Sequence, residues 1–129
     1  MKHMELKNEY NALINSLRLL VLPFDEQKSC LPSFADVKDE VLNIFFEAFL
    51  RIPPIVEKGI IPYNAIASIL RLNNEITLIE LDESLKSLAA FIDSKEWNHI
   101  RKLADIALTE LGEKNTPPDL EFISWIAGH

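Results

Sequence analysis

Large apolar residues recur at spacings of three and four along most of the chain, and prolines punctuate the recurrence. Leu6, Tyr10, Leu13, Ile14, Leu17, Leu20 and Val21 form one helical face over residues 4–21. Pro23 stops that helix, and residues 23–32 read as a loop between Pro23 and Pro32. Ser33, with Asp36 three residues on, reads as the cap of a helix from Phe34 to about Arg51. Its apolar face is wide (Val37, Val41, Leu42, Ile44, Phe45, Phe46, Phe49), which suits a central element. Pro53-Pro54 breaks the chain, a short helical turn ends near Gly59, and Pro62 takes the first position of a helix closed by Asn73-Asn74.

Residues 75–93 pose a choice. The opening EITLIELDES does not alternate cleanly, so a strand is disfavoured. On a helical wheel extended to Asp93, Leu78, Leu81, Leu85, Leu88, Ala89 and Ile92 fall within about 100° of arc. A single helix over 75–93, buried along that leucine stripe, is therefore expected. It leaves Ile76, Ile79 and Phe91 on its other side, among Glu80, Glu83 and Ser87.

Ser94 then caps a helix over 95–111 that carries Trp97, Ile100, Leu103, Ala104, Ala107, Leu108 and Leu111, with Gly112 just past its end. After Thr116, Pro117-Pro118 opens a last helix with Leu120, Ile123, Trp125 and Ile126. The pattern predicts an all-α, single-domain bundle spanning 1–129: five main helices, one or two short ones, and short connections that set neighbours antiparallel. Met1 and Met4 are both potential starts, so residues 1–3 are set apart from the domain.

Composition narrows the function classes more than the fold. The 129 residues, 48% of them hydrophobic, can fill one core, and three glycines are too few and too scattered for a phosphate-cradling loop. Twenty acids against thirteen bases leave a net charge of −7, which argues against direct nucleic-acid binding and suits a basic protein partner. The excess is local: residues 75–96 hold six acids and two bases, net −4. No apolar run reaches the ~18 residues of a membrane span, and no leader is apparent. Cys30 is the only cysteine, so a reducing, cytoplasmic setting is expected and Cys30 reads as an ordinary thiol.

Candidate chemistry is sparse. Of His3, His99 and His129, only His99 lies inside the chain. Glu96 and His99, three apart, make half of a carboxylate-bridged di-iron pattern, and no second copy exists. No metal site, cofactor or nucleophile with its base is assigned, and the chain is read as a binding protein that is not an enzyme.

These features together resemble a toxin-immunity protein of the kind encoded beside bacterial contact-dependent growth inhibition toxins. The resemblance rests on the small acidic helical chain, the lone Cys30, and the acidic-apolar segment EITLIELDESLKSLAAFIDSKEW. It implies a cytoplasmic monomer or weak dimer that covers the basic active-site cleft of a cognate toxin, a nuclease being the expected activity. Glu75, Ile79, Glu80, Asp82 and Glu83 are the expected contact surface. A helical adaptor with another partner, and a helical enzyme built around Glu96 and His99, stand as the alternatives.

Overall fold

Apolar stripes at helical spacing can leave water only by packing helix against helix, and four long helices do so here. They are α1 (Lys2–Val21), α3 (Val37–Leu50), α5 (Tyr63–Glu80) and α7 (Lys95–Glu110). Among the described residues there are also three short ones: α2 (Phe24–Cys30) and α4 (Pro53–Glu57) flank α3, and α6 (Leu88–Ile92) precedes α7. A single 3-10 turn, Glu83–Leu85, lies between α5 and α6. This computed structural model describes the backbone of residues 2–121 and the side chains of residues 6–121. Among the described residues there is no strand, so the fold is all-α, and no helix is long and apolar enough to cross a membrane.

Helix α1 packs between α3 and α7, and α7 packs between α1 and α5. Leu13, Leu17 and Leu20 of α1 meet a core completed by Val41 and Phe45 of α3, Ile69, Leu72 and Ile76 of α5, and Trp97, Ile100 and Leu108 of α7. Each such side chain, fully buried, contributes about 1.5–3 kcal/mol before entropic costs.

Several expected boundaries move, each for a local reason. Residues 23–32 are mostly helical. Pro23 is extended (φ −67°, ψ 161°), its carbonyl accepts the amides of Glu26 and Gln27, and Asp25 and Glu26 suit the positive end of the helix dipole. Buried Gln27 ties α2 back to α1 by donating Nε2 to the Leu19 carbonyl at 3.1 Å. The cap of α3 is Asp36, whose Oδ1 accepts from the Asp39 amide at 3.1 Å; Ser33 lies in the turn before it. Pro62 is the capping residue of α5, and Tyr63 is its first helical one.

Asn73 and Asn74 do not end that helix. An interior asparagine costs about half a kcal/mol relative to alanine, far less than burying Leu72, Ile76 and Ile79 returns. The chain breaks instead at Asp82, which is extended (φ −99°, ψ 109°), so no single helix spans 75–93. Ser94 caps α7 as expected, its Oγ accepting from the Trp97 amide at 3.1 Å, and Gly112 follows with φ +75°, where a Cβ would be strained.

Residues 113–120 are not helical, so the last helix does not begin at Pro117-Pro118; its continuation over 122–129 lies outside the described residues. This segment runs back along α1. The Arg18 guanidinium donates to the Lys114 carbonyl at 3.0 Å and pairs with Glu113, and the Asp119 amide donates to Asn15 Oδ1 at 2.9 Å. The Tyr10 hydroxyl donates to Glu113 Oε2 at 2.9 Å.

Burial and then the Glu113 carboxylate push the Tyr10 pKa from 10.0 up to about 12, against the opposing charge of Arg18. Folded Tyr10 thus holds its proton more tightly than the unfolded chain does. The stability this gives is fully present below pH 10.0 and is lost as pH rises through about 12. A near-ultraviolet absorbance titration is expected to show a tyrosine step at about 12 that Tyr10→Phe removes.

Candidate functional site

The acid-rich segment singled out by sequence folds as a corner: the end of α5, the 3-10 turn and α6. Asp82 makes the bend. Its Oδ1 accepts from the Ser84 amide at 2.9 Å and the Ser84 hydroxyl at 2.6 Å, and these bonds hold its exposed carboxyl below the ordinary range. Ser87 then caps α6, its Oγ accepting from the Ala90 amide at 3.1 Å.

Trp97 of α7 anchors the corner from beneath. Its indole Nε1 donates to the Leu85 carbonyl at 2.9 Å, and its ring meets Phe91 edge-on at 5.0 Å between centroids. Lys38 reaches in from α3. Its ammonium lies 5.7 Å from the centre of the Trp97 ring, pairs with Glu80 at 3.1 Å and donates to the Lys86 carbonyl at 3.2 Å. One largely buried lysine thus joins α3, the end of α5, the turn and α7.

The five expected contact residues separate. Glu80, Asp82 and Glu83 gather at the corner. Glu75 does not join them: it lies about 140° around α5 from Glu80, on the opposite flank of the helix. Ile79 is buried in the chain's own core. Two of the gathered acids already have basic partners, Glu80 with Lys38 and Glu83 with Lys86 at 3.0 Å. Asp82 is the acid of the three with hydroxyl and amide partners alone.

The apolar sides are exchanged relative to the wheel. Ile76, Ile79 and Phe91, expected off the stripe, are buried, whereas Leu78 is 61% exposed, Leu81 75% and Leu88 54%, and Ile92 is exposed as well. The break at Asp82 resets the helical phase, so a wheel carried across it places the later residues on the wrong side. A signal was present: Asp82, Ser84 and Ser87 are cap-type residues too densely placed for one uninterrupted helix.

Other candidates stay apart from this corner. Glu96 is half-buried and His99 exposed, and among the described residues no three His, Cys, Asp or Glu side chains come close enough to share an ion. Burial and the neighbouring Glu26 push the Cys30 thiol above its ordinary pKa, which lowers its thiolate fraction. A surface groove of about 250 Å³ runs between α1 and α3, floored by Ala12, Ile44 and Ala48 and rimmed by Glu40, Asn43, Glu47 and Arg51.

Compared with known protein families, curated proteins and solved structures, the chain matches none.

Proposed function

We propose that this chain is a protein-binding domain that neutralises a cognate toxin by laying the corner around residues 81–92 over the toxin's active site. The observation that carries the reading is the exposure of Leu81, Leu88 and Ile92 beside Asp82 and Glu83, on a bend held by two side-chain caps and by Trp97. Exposed leucines supply anchors that slow dissociation, and an acidic rim steers a basic partner. Because the bend is already ordered, little entropy is lost on docking. Since Glu80 and Glu83 each face a lysine, apolar contact contributes more to affinity than phosphate-like charge does.

The test has two stages. Co-purification from the native host, with the partner identified, is expected to return a basic toxin; a partner that is no toxin supports the adaptor reading instead. Leu88→Glu is then expected to weaken binding at least tenfold, about 1.4 kcal/mol, and Glu83→Lys to weaken it less. Glu80 is left intact, since a lysine there would face Lys38 and disturb the corner itself. Unchanged affinity with both variants would assign binding to another surface.

A further inference from the structure

Helix α5 is apolar on both sides. Its inner side holds Ala65, Ile69, Leu72, Ile76 and Ile79 in the core. Its outer side carries Tyr63, Ala67, Leu70, Asn74, Leu78 and Leu81, spaced four, three, four, four and three residues apart. All six are exposed, Tyr63 at 91% and Leu70 at 46%. That spacing makes one straight seam the length of the helix, and no charged residue stands in it. A solvated helix face ordinarily holds several charges.

We infer that this seam receives a second copy of itself, α5 against α5 in antiparallel register about a two-fold axis that crosses the seam at the level of residue 72. The seam is self-complementary in that register and in no other so fully. Tyr63 comes opposite Leu81 of the other copy, a contact that competes with the use of Leu81 in docking at the corner; the small Ala67 comes opposite the large Leu78, and Leu70 opposite Asn74. Side chains on a helix lean toward its N-terminus. The two Asn74 amides therefore lean toward the axis and toward each other, where they can exchange hydrogen bonds and fix the register, as a lone seam asparagine does in coiled coils.

The flanking charges decide the direction. Arg71 and Glu75 stand on the same flank of the seam, and neither forms an ion pair among the described residues. In an antiparallel pair this flank meets the same flank of the other copy. Arg71 and Glu75 of the other copy then lie about two residues, ~3 Å, apart along the axis and lean toward each other, twice over by symmetry. A parallel pair would set Arg71 against the other flank, where Asn73 and Ile66 offer it no opposite charge. An interface one helix wide falls short of the ~800 Å² per partner of standard complexes, so the pair is a weak, concentration-dependent dimer.

Sedimentation equilibrium of the full chain tests this. The wild type is expected to pass from monomer to dimer as concentration rises toward about 1 mM. Arg71→Glu and Glu75→Arg, each alone, are expected to weaken the dimer at least fivefold, and the double exchange to restore it. Leu70→Glu is expected to leave a monomer with unchanged helical circular dichroism. A wild type that stays monomeric throughout would overturn the inference. So would a double exchange that fails to restore the dimer, or a dimer lost with Leu88→Glu and retained with Leu70→Glu.

Discussion

Ile76→Glu is expected to abolish cooperative unfolding, whereas Leu78→Glu, two residues away on the same helix, is expected to move the melting temperature by no more than a few degrees. Ile76 is 0% exposed between α5 and the rest of the core, and Leu78 faces water. Replacing Ile76 removes a packed aliphatic side chain, worth about 2–5 kcal/mol at a buried site. It also places a carboxyl where no partner waits, which costs several kcal/mol more through desolvation or forced protonation. The sum is comparable with the whole stability of a small domain, about 5–15 kcal/mol. Leu78→Glu removes exposed apolar surface and stays within about ±0.5 kcal/mol. Thermal circular dichroism of the two variants decides the matter. The opposite ranking would mean that the leucine stripe over 75–93 is buried after all.

Trp97→Ala is expected to cost about 3–5 kcal/mol from lost burial and the cavity together and to loosen the corner before the rest of the fold. The indole does three things at once. It fills the space under α6 against Phe91, donates to the otherwise unpaired Leu85 carbonyl, and offers its face to Lys38. Trp97→Phe separates them. Phenylalanine keeps most of the packing and a ring for Lys38, and loses the bond to Leu85, so a loss of about 1–2 kcal/mol is expected. Hydrogen exchange is the matching measurement, with amides of residues 83–92 losing protection first and those of α1 keeping theirs. Equal losses in the two variants would mean that the hydrogen bond, and not the packing, holds the corner.

These two positions mark where sequence periodicity fails and where it holds. Over α1 and α7 the apolar spacing, the Pro23 stop, the Ser94 cap and the glycine at 112 agree, and the helices lie within a residue or two of expectation. Such signals are local: a cap bonds an amide three residues away, so the sequence alone suffices to find it. The Asn73-Asn74 and Asp82 boundaries are different in kind. Both sites hold residues tolerable inside a helix or at its end, and the choice between them depends on which side chains the rest of the protein can cover. Leu72, Ile76 and Ile79 find α7 and the core, so the helix runs through the asparagines. Beyond Glu80, where Lys38 and Trp97 wait, the chain turns under Asp82.

The sequence by itself determined that this is a helical chain with one core, few chemical groups to work with, and an acidic segment in its second half. Those properties follow from the 3.6-residue period, the residue counts and the charge along the chain. The tertiary structure alone decided which apolar residues of that segment are buried and which are offered to solvent. A helix carrying isoleucines on one face and leucines on another can be buried on either, at nearly equal transfer energy. Only the shape of the surface that α7 presents to α5 selects the isoleucines.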